Sequence, residues 1–336
     1  MLRRRDFIAA ASAAAGAAAV LPALAATPPA RRALLRLAGP WSTVSLPLIG
    51  LAERGGLEAI ADRVEFVGWR NPDELRLIAL EGRADVLAVP VNVGANLYNR
   101  GVPLRLLNVS AWGMLWLVSR QPGPKTLADF RGEEIAMPFR GDMPDIVFGL
   151  LARAQQLNVR RDFRLRYVAS PLDAMQLLVA RRVDHALLAE PAVSMALRKT
   201  RSFPTSIIAP ELHRAVDLQQ EWGRVLQRAP RIPQAGIVLL GPLREDAQAS
   251  ALIAQAYANA LAQCSAQPLA CGEAMARRNE RLSAEAVADA VAASPLDAVS
   301  ARAARGELEH LFQALVAENP ALVGGRMPDA GFYGGA

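Results

Sequence analysis

Leu80-Glu81-Gly82-Arg83-Ala84-Asp85-Val86-Leu87-Ala88-Val89-Pro90 and Val179-Ala180-Arg181-Arg182-Val183-Asp184-His185-Ala186-Leu187-Leu188-Ala189-Glu190-Pro191 follow one plan, about a hundred residues apart. Each reads as a helix end, a turn carrying one Asp, a short apolar strand, and a Pro that opens the next helix, where its missing N–H does no harm. Two copies of such a unit predict two α/β lobes with a cleft between them. In open α/β sheets a ligand sits beyond the carboxyl ends of the strands. There the following helix N-termini offer free backbone N–H groups.

Outward from these units, short apolar runs alternate with helical patterns, which predicts mixed, mostly parallel sheets flanked by helices. Strands are expected at 33–37, 64–67, 85–89, 104–109 and 114–118, with helices at 44–53, 72–80 and 92–99. The pattern restarts with strands at 134–136, 164–168 and 184–188 and helices at 144–156, 171–180 and 191–198. After residues 206–208 the chain reads as loop-rich and helical up to Pro233, and 237–240 as the last strand. Everything from Glu245 onward reads as helix, with turns near Pro268, Pro295 and Pro320.

The N-terminus has a different character. Arg3-Arg4-Arg5-Asp6-Phe7-Ile8 precedes an Ala-rich run over 9–20 and then Leu21-Pro22-Ala23-Leu24-Ala25-Ala26. A charged start, a short apolar centre and a small-residue exit predict a signal peptide over 1–25. Arg4-Arg5 ahead of Phe7-Ile8 fits the twin-arginine type, with an ordinary export signal as the alternative. No Cys follows the cleavage region, which speaks against a lipid anchor there, so a periplasmic location is expected. The remaining roughly 310 residues suffice for two lobes of ordinary size.

The formal net charge of +6 is spread along the chain without a Lys/Arg cluster interleaved with aromatics, so no nucleic-acid partner is indicated. The three histidines, His185, His213 and His310, lie far apart and no metal-ligand spacing is present. Cys264 and Cys271, the only cysteines, form a C-x6-C pair that reads as a disulfide in an oxidising compartment. One buried and one exposed free thiol is the alternative.

Three stretches, Leu80–Val89 (LEGRADVLAV), Lys125–Pro138 (KTLADFRGEEIAMP) and Pro171–Pro191 (PLDAMQLLVARRVDHALLAEP), together with Ala235–Leu240 (AGIVLL), carry a family likeness in their order and spacing. The chain resembles the nitrate/sulfonate/taurine-type periplasmic substrate-binding proteins of ABC importers, whose fold is shared with pyrimidine-precursor synthases. The resemblance implies a type II periplasmic binding protein fold with two hinge crossings. It places one lobe at 30–120 plus 234–325, the other at 121–233, and a C-terminal tail at 326–336. It implies capture of a small organic solute or oxyanion, delivery to a membrane permease and its ATPase, no cofactor, no catalysis, and a monomer. A periplasmic sensor subunit is an alternative. A synthase-like enzyme is a weaker one, because the synthases' cysteine motif is missing and the two lysines, Lys125 and Lys199, fall outside the cleft loops.

Carried over position by position, the implied cleft loops hold Trp41, Ser42, Thr43, Asn92, Trp112, Gly113, Arg140, Asp142, Met143, Glu190 and Gln234. Trp41 and Trp112 read either as stacking surfaces for a planar ligand or as covers for a sheet edge, and Trp69 and Trp116 as packing. Ser42 and Thr43 are good helix caps, and Asn92 serves equally as a cap or as a ligand amide. Arg140 suits an anion, or an ion pair with Asp142 or Glu190. Glu190 suits a helix N-terminus or a ligand amine. Two Trp and two acids favour a planar nitrogenous ligand. Arg140 and the helix N-termini favour a sulfonate or another small anion. On balance an organic solute is expected over nitrate.

Overall fold

A computed structural model describes residues 31–123, 125–209 and 211–335. The expected signal peptide lies outside the described residues. Among the described residues, eleven strands run in chain order as β1 (Leu35–Pro40), β2 (Val64–Trp69), β3 (Val86–Pro90), β4 (Leu104–Ala111), β5 (Leu115–Ser119), β6 (Glu134–Pro138), β7 (Arg164–Val168), β8 (His185–Ala189), β9 (His213–Asp217), β10 (Ala235–Leu240) and β11 (Leu296–Ser300). They form two sheets, ordered β11-β4-β10-β3-β1-β2 and β7-β6-β8-β5-β9, one per lobe.

The parallel pairs β1–β2, β1–β3, β6–β7 and β6–β8 are built from strand–helix–strand units. The other five pairings are antiparallel, so the sheets are mixed rather than mostly parallel. The cause is the crossing between lobes. The chain leaves the first sheet after β4, enters the second on β5, and later returns on β10, and each strand that follows a crossing runs against its neighbours. Strands buried on both faces need continuous apolar sequence rather than alternation. β10 is buried at every position, and β3 at all but its last.

Helix starts are set by local chemistry. Asn71 Oδ1 accepts from the N–H groups of Asp73 and Glu74 at 3.1 and 2.9 Å and starts the helix Pro72–Leu80. Ser170 caps Pro171–Val179 in the same manner. Two strands were not expected. Within the stretch read as loop and helix, β9 forms an edge strand of the second sheet, and its polar His213-Arg214 start hid it. β11 interrupts the C-terminal helices, a half-exposed edge strand too polar to stand out. Near the C-terminus, Phe332 is fully buried against Tyr98 and Phe312.

Cys264, in the helix Ala247–Ala266, and Cys271, in Pro268–Arg278, are joined by a disulfide with Cα atoms 5.5 Å apart. Arginine–carboxylate pairs run between the lobes: Arg76–Asp142 at 2.7 Å, Arg281–Asp173 at 3.4 Å, Arg228–Glu307 at 3.2 Å, and also Arg198–Asp289 and Arg153–Glu318. Exposed pairs of this kind add little stability individually. In this structure all five of them span the two lobes.

Candidate cleft between the lobes

The two crossings meet at Trp112, Gly113 and Gln234. Gly113 has φ +142, and a Cβ there would lie 1.9 Å from the Gln219 side chain, so only glycine fits this turn. Gln234 Oε1 accepts from Met114 N–H at 2.7 Å, and Gln219 Oε1 accepts from Leu115 N–H at 3.2 Å. Side-chain amides therefore tie the outgoing strand to the returning chain. Trp112 belongs to this hinge and not to the cleft. Its Nε1 donates to Asp297 O at 2.9 Å, and the Arg231 guanidinium stacks 3.6 Å from the ring centroid.

In front of the hinge lies a cavity of about 450 Å³. Pro40, Trp41, Ser42, Trp69, Arg70, Val89, Pro90, Gln234 and Ala235 line it from the first lobe. Met114, Leu115, Phe139, Asp142, Met143, Ser170, Leu172, Ala189 and Glu190 line it from the second, and Arg278, Asn279 and Arg281 close its mouth. Its strand-end walls are those that the paired sequence units predict. Trp41 packs edge-on against Phe66, with centroids 6.1 Å apart, and its six-membered ring covers Gly68. A Cβ on Gly68 would meet that ring at 2.0 Å, so this glycine lets the indole lie down on β2. Trp69 forms the adjoining wall, held by Nε1 donating to Ala88 O at 3.3 Å. Phe139 enters the cavity from a left-handed backbone with φ 58, a conformation costing about 1–3 kcal/mol that persists only where its surroundings impose it.

Both candidate acids already have arginine partners. Asp142 Oδ1 accepts from Arg76 at 2.7 Å. Burial pushes its carboxyl up from the ordinary aspartate value, and Arg76 only partly offsets this. Glu190, with its side chain fully buried, accepts from Arg214 at 2.6 Å and from Ser194 N–H at 3.1 Å. Neither carboxylate is left unpaired for a ligand amine. The rim cations are paired as well, Arg70 with Glu74, Arg278 with Glu53 and Arg281 with Asp173. The site is therefore an apolar chamber with its charges neutralised in pairs around it.

Of the expected residues, Trp41, Ser42, Asp142, Met143, Glu190 and Gln234 line the chamber, while Trp112, Gly113, Thr43, Asn92 and Arg140 do not. Arg140 is exposed on the outer side of its turn, its guanidinium 5.0 Å from the Tyr167 ring centroid. Thr43 and Asn92 are buried behind the wall, and Thr43 Oγ1, Ser45 Oγ and Asn92 Oδ1 have no hydrogen-bond partner among the described residues. Trp69, Phe139, Leu172, Arg278 and Arg281 were not anticipated. Trp69 closes a strand and Phe139 follows one, positions that could have marked them. The two arginines come from a helical segment that gave no such signal.

No protein-family model and no curated protein matches the sequence. Solved structures do. An ABC transporter protein from Parabacteroides distasonis aligns over 89% of this chain and 98% of its own, with a TM-score of 0.71 and 20% identity. The periplasmic aliphatic sulphonate binding protein SsuA from Escherichia coli aligns over 88% and 92%, at 0.62 and 16%. The periplasmic nitrate-binding protein NrtA from Synechocystis PCC 6803 aligns over 77% and 69%, at 0.61 and 14%. The chain has the fold of a periplasmic binding protein. At these identities the likeness is one of fold. In a binding-protein fold the chamber occupies the cleft between the lobes, and the crossings behind it are the hinge. Among the described residues no group of three or more His, Cys, Asp and Glu could hold a metal ion, and no helix is long and apolar enough to cross a membrane.

Proposed function

We propose that this chain is the solute-binding component of an ABC importer, working outside the inner membrane and handing its ligand to a permease and ATPase. The carrying observation is the 450 Å³ chamber lined from both lobes directly in front of a two-stranded hinge. The neighbours, whose names describe binding components for sulphonate and nitrate, support the same reading. Lobe boundaries near 113 and 234, the first earlier than the expected 120 because β5 lies in the second sheet, export by the N-terminal segment, monomeric behaviour and the absence of catalysis belong to this proposal. Ligand contacts made by both lobes favour the closed state, so affinity follows from closure.

The ligand class follows from the lining. Trp41, Trp69, Phe139, Met114, Met143 and Leu172 offer an aromatic and thioether surface, and the charged groups around them are already paired. A small organic solute with an apolar or aromatic body suits such a chamber, and a bare inorganic anion does not. The test is a thermal-shift screen of the full chain with aromatic and alkyl sulphonates, aromatic carboxylates, neutral heteroaromatics, taurine and nitrate. A ligand at a hundred times its Kd raises stability by about 2.7 kcal/mol. A response to nitrate that no organic compound equals overturns the ligand class. Silence from every compound, with unchanged tryptophan fluorescence, counts against the binding role itself.

A further inference from the structure

Most large apolar side chains exposed on this protein stand singly, as on any soluble surface. One connection departs from this. Between the helix Ala192–Arg201 and β9, Phe203, Ile207 and Ile208 are 80%, 73% and 68% exposed. Ile207 and Ile208 belong to a short helical turn, Thr205–Ile208, which Phe203 precedes, and Ile208 also lines the groove beside it. At the foot of the turn are exposed cations. Lys199, Arg181 and Arg182 have no ion-pair partner among the described residues, and Arg181 donates to Ile208 O at 3.3 Å, which places it beneath the apolar tip. Arg181, Lys199, Thr205 and Gln176 line a groove of about 410 Å³ between the turn and the helix Pro171–Val179. The nearby acids are Glu211, held by Arg201, and Glu280 and Glu285, which line a second groove that shares Lys199 and Thr205 with the first.

We infer that this face of the second lobe docks on an anionic phospholipid surface. A bilayer interface meets both halves of the patch. Its acyl boundary takes Phe203, Ile207 and Ile208, and its phosphates take Lys199, Arg181 and Arg182. The groove beside the turn, lined by Met175, Val179 and Ile208 as well as Arg181 and Lys199, has room for a headgroup. A protein groove complementary to this face would have to combine an apolar pocket with several acids, whereas a convex apolar tip ringed by cations is the form that interfacial anchors take. Binding is weak and reversible, so the protein would search for its membrane partner along a surface rather than through a volume.

The full chain is sedimented with vesicles of equal parts phosphatidylglycerol and phosphatidylcholine, and with phosphatidylcholine alone. Phe203→Glu/Ile207→Glu lowers the bound fraction on anionic vesicles by about tenfold or more. Arg181→Glu/Lys199→Glu does so by a similar factor, an effect that salt imitates in the wild type. All four side chains are exposed, so thermal unfolding midpoints stay where they were. Wild-type binding retained by both double variants overturns the inference. So does loss of self-association in Phe203→Glu/Ile207→Glu with vesicle binding unchanged, which would make the face a contact between copies of the chain.

Discussion

Strands β3 and β8 leave their sheets in the same manner and put different chemistry into the cleft. Each follows an Asp-bearing turn, ends close to a Pro, and pairs with an antiparallel strand at a crossing, Pro90 with Ala235 and Ala189 with Leu115. The first lobe fills this plan with apolar side chains only, from Val86 at the start to Val91 beyond the end. The second buries His185 at the equivalent start, where Nδ1 lies 3.0 Å from Ser119 Oγ, and Glu190 at the exit, with Arg214 reaching it from β9. A repeated backbone unit thus fixes where side chains go without fixing their polarity. The second lobe has an internal ion pair and a neutral imidazole where the first has only packing.

This contrast can be broken by removing what is peculiar to one side. Arg214→Ala leaves the fully buried Glu190 side chain without its cation, and it is expected to cost about 3–5 kcal/mol in urea unfolding. A loss below about 1 kcal/mol would show that water reaches Glu190, as at an exposed pair. The two tryptophans sharpen the division between hinge and cleft. Trp112→Ala removes a fully packed ring and costs about 3 kcal/mol or more of stability. Trp41→Ala leaves unfolding nearly unchanged and weakens ligand binding by about 1–3 kcal/mol. A reversal of that order would move the site to the hinge.

The smallest effect is the pH response of His185. Burial holds its pKa below the usual 6.5, with Glu133 and Asp184 only partly opposing this. The unfolded chain therefore takes up the proton first. Stability present above pH 6.5 is lost as the pH falls from there toward the depressed value, and it levels off below that value. Wild-type stability should drop across this window, and His185→Gln should flatten the slope there. An unaltered slope in that variant would assign the response to another group.

The sheets were legible because buried strands are written as unbroken apolar runs bounded by Pro and Asp, as in Val86–Pro90 and Ala235–Leu240. Edge strands are not written that way. β9 begins His213-Arg214 and β11 is LDAVS, and each becomes a strand only because a neighbour supplies hydrogen bonds. The site was legible in part, since strand ends locate a cleft but not which turn residues face it. Trp41 and Trp112 each follow a strand. A glycine on β2 and an arginine more than a hundred residues downstream decide that one ring faces the chamber and the other is buried. Likewise no local feature reveals that Arg76 and Arg214 neutralise Asp142 and Glu190 from other elements.

The position of β10 also imposes an order of assembly. It lies between β3 and β4, yet it is synthesised after the whole second sheet, whose five strands are contiguous in the chain. The second lobe can close on itself once β9 has emerged. Until residue 240 follows, β3 and β4 of the first lobe present open apolar edges that no nearby sequence can cover. Such late, long-range pairing is slow and leaves an intermediate prone to aggregation. On the ribosome the lobe that begins the protein is therefore the last to be finished, and the hinge is created by the same strand that closes the gap between β3 and β4.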